Sequence, residues 1–323
     1  MKKFLLLLLA LSLLVAPLSS CQNTEQNDKV TIVTTVFPEY DWVMNILGQQ
    51  TANVEVILLT ENGTDLHSFQ PTVGDIAKIS TCDILICTGG LSDAWIDDAL
   101  ASSSNEQQTV IRLMSLLSHE EKLVEQSQHH NAHAHDNEDR HDSYDEHIWL
   151  SLKLANRFCC AIAEAICQKL PEHAEEYTQN CAAYVAKLDR LDSEYETSVS
   201  TAEKHELLFA DRFPFTYLTH DYGLSCYAAF PGCSAETEAS FETVAFLAET
   251  LNKLSLPAVV VLENADPSLA KTVIATSQSQ NVRIISLDSL QSVSTLDIQS
   301  GISYLDIMKN NLLALESALN YES

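Results

Sequence analysis

The chain reads as an α/β protein of two lobes, each a mostly parallel sheet flanked by helices, joined by a long rigid helix. Two patterns carry that reading. In both halves of the sequence, short apolar runs alternate with helical patterns, which is the signature of parallel strands covered by helices. Between the halves, Glu172 to about Lys204 contains neither Pro nor Gly. Within it Tyr177, Cys181, Tyr184, Leu188, Leu191 and Tyr195 step by four and three. That spacing draws one apolar stripe along a helix long enough to lie against both lobes.

At the N-terminus, Lys2 and Lys3 precede an apolar run from Phe4 to Leu18. The run is too short for a transmembrane helix and fits a secretory signal. It ends Leu18-Ser19-Ser20-Cys21, which resembles the bacterial lipobox, in which Cys21 becomes the lipidated first residue. Residues 1–20 are then signal peptide and 21–29 a lipidated polar tether. The expected location is extracytoplasmic, lipid-anchored to the bacterial membrane.

The first lobe, residues 30–150, begins with a strand at Val30–Val36 and a helix at Tyr40–Gln49. A strand at Val54–Leu59, a helix at Val73–Ser80 and a buried strand at Asp83–Cys87 follow. Ser92–Ala101 reads as a helix with Ser92 as its cap, and Thr109–Leu113 as a further strand. Residues 151–204 are helical, with Leu150–Leu170 stopping before Pro171 and the interlobe helix after it. The second lobe, residues 205–323, has strands at Glu206–Phe209, Leu224–Ala229, Ala258–Leu262 and Val282–Leu287. Its helices are Phe213–Thr219, Phe241–Lys253, Pro267–Ser279 and Tyr304–Asn320.

Composition removes several classes of function. Acidic residues number 45 against 18 basic ones, for a formal charge of −27, and loss of Lys2 and Lys3 makes it more negative. No basic footprint exists for nucleic acid, whereas cations are attracted to such a surface. No glycine-rich phosphate loop, nucleophile elbow or HExxH cluster is present. Beyond Cys21, the eight cysteines form no CxxC pair and sit mostly in apolar runs, where Cys packs as a small core residue. Cys226 with Cys233 is the one pair worth testing for a disulfide.

The stretch HHNAHAHDNEDRHDSYDEHIWLS, from His129 to Ser151, points to metal. Six of the eleven histidines lie between His129 and His147, diluted with carboxylates. Neutral imidazole is the commonest protein ligand for zinc-like ions, and the loop at 128–147 is a metal-collecting segment by composition. Ligands in open parallel sheets bind outside the carboxyl ends of the strands. His67, His147, Asp211, Glu263 and Asp288 follow expected strand ends or close the acidic loop. Two imidazoles with one or two carboxylates suit zinc, with manganese as the alternative.

At these residues the chain resembles a family. The lipoprotein signal, GTDLHSFQPTVGDI, CDILICTGGLSDAWIDDAL, DEHIWLSLKLA and YGL are similar to the solute-binding lipoproteins of bacterial zinc and manganese ABC importers, in particular the zinc branch. The resemblance covers essentially the whole mature chain. It implies capture of Zn²⁺ (Mn²⁺ as alternative) in a cleft between the lobes and delivery to an ABC permease with its ATPase. It carries metal ligands onto His67, His147 and Asp288. The family's third ligand, His or Glu, falls about twelve residues before the Gly-Leu of the YGL segment, and here that position holds Arg212. Guanidinium carries only donors and cannot ligate a cation. Asp211 is the substitute expected next to it, with His220 and Glu236 further from the pattern, and pairing of Arg212 with Asp288 is another outcome. Two other functions are consistent with the same residues: a lipid-anchored zinc buffer or adhesin working through the histidine loop, and a metallohydrolase with Glu263 as base.

Overall fold

The computed structural model describes residues 29–60, 63–124, 144–232, 238–279 and 281–321. Cys21 with the signal and tether, residues 128–143 of the histidine-rich loop, Cys233 and Glu236 lie outside them. In chain order the elements are β1 (Val30–Thr34), α1 (Phe37–Leu47), β2 (Val54–Leu58), α2 (Val73–Thr81), β3 (Ile84–Cys87), α3 (Trp95–Ala101), β4 (Thr109–Arg112), α4 (Leu152–Lys169) and α5 (Ala174–Ser200). Then come β5 (Glu206–Phe213), α6 (Thr216–Asp221), β6 (Ser225–Pro231), α7 (Phe241–Leu254), β7 (Ala258–Leu262), α8 (Ser268–Thr276), β8 (Arg283–Leu287), α9 (Thr295–Gln299) and α10 (Tyr304–Leu319).

The strands form two four-stranded sheets of the same topology, ordered β2-β1-β3-β4 and β6-β5-β7-β8, with every pairing parallel. Parallel strands are covered on both faces and therefore read as unbroken apolar runs. Alternate residues serve different cores. Ile32, Ile84, Ile86, Phe209 and Val260 face a cluster shared by both lobes. Val33, Leu85 and Cys87 face a separate outer cluster of the first lobe. Leu208, Val259 and Val261 face the outer cluster of the second.

The shared cluster fixes how the lobes meet. It contains Trp42 of α1, Trp149, Tyr184 and Tyr195 of α5, and Tyr304 of α10. The expected apolar stripe is the buried face of α5. Near the middle of that helix the Tyr184 hydroxyl donates to Asp41 in the first lobe at 3.0 Å. Three turns on, the Tyr195 hydroxyl donates to the Met308 carbonyl in the second at 2.6 Å. Each of these tyrosines buries its ring and satisfies its hydroxyl, so α5 is fastened to both lobes as well as packed on them.

Three elements depart from expectation. β5 continues to Phe213, through Asp211 and Arg212, across an irregularity in register between Phe209 and Arg212. The polar pair breaks the apolar run without ending the strand. Ser92 does not cap a helix; it lies in a 3₁₀ turn, Leu91–Asp93, and the α-helix starts at Trp95. A short helix, α9, is added at Thr295–Gln299, closed by a reciprocal Ser294–Asp297 capping box. Among the described residues no helix is long and apolar enough to cross a membrane.

Candidate metal site

Two Asp-x-His turns build the centre of the site. After β2 the chain reaches Asp65, whose Oδ1 accepts the His67 backbone N–H at 2.9 Å and caps the 3₁₀ turn Leu66–Ser68. Before α4, Asp145 Oδ1 accepts the His147 backbone N–H at 2.8 Å and meets the ring Nδ1 at 2.8 Å. Asp favours such turns because its short side chain reaches the amide two residues on. The two turns bring the imidazoles face to edge, with Nε2 to Nε2 at 3.2 Å.

Each ring has its second nitrogen occupied. His67 Nδ1 meets Ser92 Oγ at 2.7 Å, which is where the Ser92 side chain is spent instead of capping. With both Nδ1 atoms assigned as donors to Ser92 and Asp145, both Nε2 atoms are left to face one another. Two such lone pairs at this distance require a proton or a cation between them. Hydrogen bonds from the far side of the ring are how metal-binding histidines are oriented and made more basic.

His147 belongs to a wholly buried segment, His147 to Leu150, threaded between the lobes. Trp149 packs 5.3 Å from the His147 ring and donates its Nε1–H to the Ser289 carbonyl in the second lobe at 2.9 Å. Tyr304 of α10 donates to the Trp149 carbonyl at 2.7 Å. Glu146 accepts the Ser92 backbone N–H. Its carboxyl lies so close to Gly90 that a Cβ there would come within 2.3 Å of it. A side chain at 90 would therefore have to displace the Glu146 carboxylate from its bond to the Ser92 amide.

The two imidazoles titrate in opposite directions. Burial lowers His67, and the charge of His147 lowers it further. Burial also penalises the His147 cation, but the charge and hydrogen bond of Asp145, with Asp65 and Glu146 behind them, more than offset this and raise it. The second oxygen of Asp145 is buried with no hydrogen-bond partner among the described residues, which leaves its field on His147 unshared.

Across the cleft a cavity of about 580 Å³ is lined by Asp65, Asp211, Arg212, Glu263 and Ser292 among others. Asp211 gives one oxygen to the Arg212 amide at 2.8 Å and the other to the Leu262 amide at 3.1 Å, tying β5 to β7 at the irregularity. Arg212 pairs with Asp65 at 2.9 Å rather than with Asp288. Glu263 accepts from the Ser289 amide and hydroxyl. Asp288 follows β8 directly and accepts the Leu290 amide at 2.7 Å. Burial and the neighbouring Glu263 push its carboxyl up to about 6. His220 lies on α6, on the exposed surface.

The fold thus brings His67 and His147 together. Among the described residues no three or more His, Cys, Asp or Glu side chains are gathered closely enough to hold a metal ion, so Asp211 and Asp288 are not joined to the pair. The sequence reading assigns no site role to Asp145, Asp65 or Ser92. The Asp-x-His spacing before both histidines was the signal that would have found the two aspartates.

A family model described as "ZnuA: Zinc-uptake complex component A periplasmic" matches residues 32–318. The chain belongs to the ZnuA family. It is 32% identical to a zinc-binding lipoprotein, AdcA, of Streptococcus pneumoniae over 100% of its own length and 62% of that protein's. The chain therefore spans less than two thirds of that relative. It is 28% identical to a high-affinity zinc uptake system protein of Bacillus subtilis, covering 92% of this chain and 90% of that one. Among solved structures, the Zn(II)-bound ZnuA-like domain of Streptococcus pneumoniae AdcA superposes with a TM-score of 0.71 at 26% identity, over 90% of this chain and 99% of that one. Members of the family so described are extracytoplasmic binding components rather than enzymes.

Proposed function

We propose that this chain captures Zn²⁺ outside the cytoplasm, between its two lobes, and delivers it to an ABC permease with its ATPase for import. The metal is cargo, and the protein performs no bond chemistry on it. A lipid on Cys21 holds the chain at the membrane surface. The observation that carries the reading is the His67–His147 pair in a chain of this family. Two nitrogens bound to one tetrahedral zinc at about 2.05 Å stand roughly 3.3 Å apart. The facing Nε2 atoms stand 3.2 Å apart with both far nitrogens engaged.

Two imidazoles favour zinc over magnesium and calcium, which prefer all-oxygen shells, and over manganese, which prefers carboxylates. Asp288 is the further ligand this reading assigns. It stands next to Ser289, whose carbonyl holds Trp149 beside His147. Asp211, committed to two backbone amides, is the weaker candidate. The histidine-rich loop would collect zinc for the site.

Competition titration of the mature chain with a zinc chelator tests the proposal. One tight zinc per chain is expected, undisturbed by millimolar calcium or magnesium and retained when residues 128–142 are deleted. Loss of the tight site on that deletion would make the loop the primary site and favour a zinc buffer.

A further inference from the structure

Resting on the zinc-binding reading above, we propose that Arg212 and Asp65 form an interlobe clasp. The clasp holds the His67 turn against the second lobe and sets how fast bound zinc leaves. Arg212 stands on β5 of the second lobe, beyond the register irregularity that carries the strand to Phe213. Its Nη1–H donates to Asp65 Oδ2 at 2.9 Å, across 147 residues of sequence. Asp65 gives its other oxygen to the His67 amide. One carboxylate thus connects the guanidinium of one lobe to the backbone that aims a metal-binding imidazole of the other.

A second contact pins the same loop. Gly63 has a φ of +69° and lies so close to Ser292, in the segment after β8, that a Cβ would stand 2.6 Å from the Ser292 carbonyl oxygen. A positive φ and so near an approach both call for glycine. The short run from Gly63 to His67 is therefore gripped at two points by the second lobe. His147 is held differently: it is fully buried, and its own lobe's Asp145 fixes both its amide and its ring. Of the two imidazoles, His67 is the one whose orienting aspartate is itself ion-paired to the other lobe. Asp65 and Arg212 also line the interlobe cavity together. Arg212 cannot ligate the metal, having only donors. It is a positioning residue that acts through Asp65, and it neutralises the carboxylate beside His67.

The test has an arm with metal and an arm without. In the metal-free protein, hydrogen exchange of residues 63–69 is compared between wild type and Arg212→Ala. Residue 212 makes no bond to those amides, so a clasp predicts roughly fivefold faster exchange, the size of a partly exposed ion pair. Unchanged exchange overturns the proposal. In the zinc-loaded protein, release to excess chelator is followed by stopped flow. Arg212→Ala and Asp65→Asn should each release zinc about fivefold faster. The double variant should be no faster than the faster single one, and Arg212→Lys should stay within about twofold of wild type. Additive effects, or wild-type release from Arg212→Ala, would overturn the clasp. If the wild type holds no zinc, the proposed function fails while the exchange arm still decides the clasp.

Discussion

The two sides of the cleft are built on different plans. On the first-lobe side, each imidazole has its backbone amide tied by an aspartate two residues before it and its Nδ1 engaged by a fixed neighbour. The Nε2 atoms are left facing one another. On the second-lobe side the carboxylates are turned to their own lobe: Asp211 to the Leu262 amide, Glu263 to Ser289, and Asp288 to the Leu290 amide. On the proposed zinc-binding reading the first side is preorganised, and the second must give up or share existing bonds to contribute. Binding free energy should therefore be concentrated in the histidines, with the second lobe governing closure.

The largest test of that asymmetry is removal of a nitrogen. His67→Ala or His147→Ala should weaken zinc binding by about a hundredfold or more, since a zinc site's ~10–16 kcal/mol is spread over some four ligands. Asp145→Asn should cost about ten- to a hundredfold, as loss of a ligand's orienting partner does. Chelator competition measures both, and an Asp145→Asn variant with wild-type affinity would show that the His147 ring needs no such support.

The pH profile follows from the opposed shifts. His147, raised above 6.5, must lose its proton to bind zinc, while His67, lowered below 6.5, is already neutral there. As pH falls, affinity should begin to drop above pH 6.5 at about tenfold per unit, then steepen once His67 protonates too. The proton on His147 has the reverse effect on the metal-free fold. Because its folded pKa is raised, that stabilisation is present in full below the unfolded value and is lost as pH rises through the folded one. Affinity measured at several pH values, and proton release by calorimetry in two buffers, would show both. A profile flat from pH 8 to pH 5 contradicts the assignment.

A smaller contrast separates the second-lobe aspartates. Asp288→Ala should weaken zinc by roughly tenfold, whereas Asp211→Ala should leave it within about twofold and lower stability instead, because the Leu262 amide loses its acceptor. Equal losses of affinity would return Asp211 to the site.

The smallest effect concerns a carboxyl outside the histidine pair. Glu39, fully buried at the start of α1, accepts from the Thr35 and Val36 amides, yet burial and the charge of Asp93 push it up to about 8. A raised carboxyl destabilises the fold progressively as pH rises from 4.5 to 8. Glu39→Gln should raise the melting temperature by about 2–4 °C at pH 8 and change little at pH 4. Equal shifts at both pH values would assign the effect to packing.

The architecture is legible because its central strands β3 and β7 are buried on both faces. Runs such as Ile84–Cys87 and Ala258–Leu262 are wholly apolar and bounded by turns, and the stripe on α5 has a helical period. The sequence ends β5 too early because Asp211 and Arg212 look like a strand end, whereas their side chains satisfy groups on neighbouring elements. Composition singled out the histidines but not their supports. Asp145 looked like one acid among many, and only the fold shows its carboxylate sealed against the ring. The Ser92 side chain fitted a helix cap by position, and the approach of His67 from a loop 25 residues away is not a local signal. The pairing of Arg212 with Asp65 spans both lobes and has no pattern in the sequence at all.

X-ray absorption at the zinc edge, on the mature chain loaded with one equivalent, tests the central claim most directly. Two imidazole nitrogens at about 2.0–2.1 Å are expected in the wild type, and one fewer in His67→Ala and in His147→Ala. A spectrum left unchanged by both substitutions would put the zinc somewhere other than between these two rings.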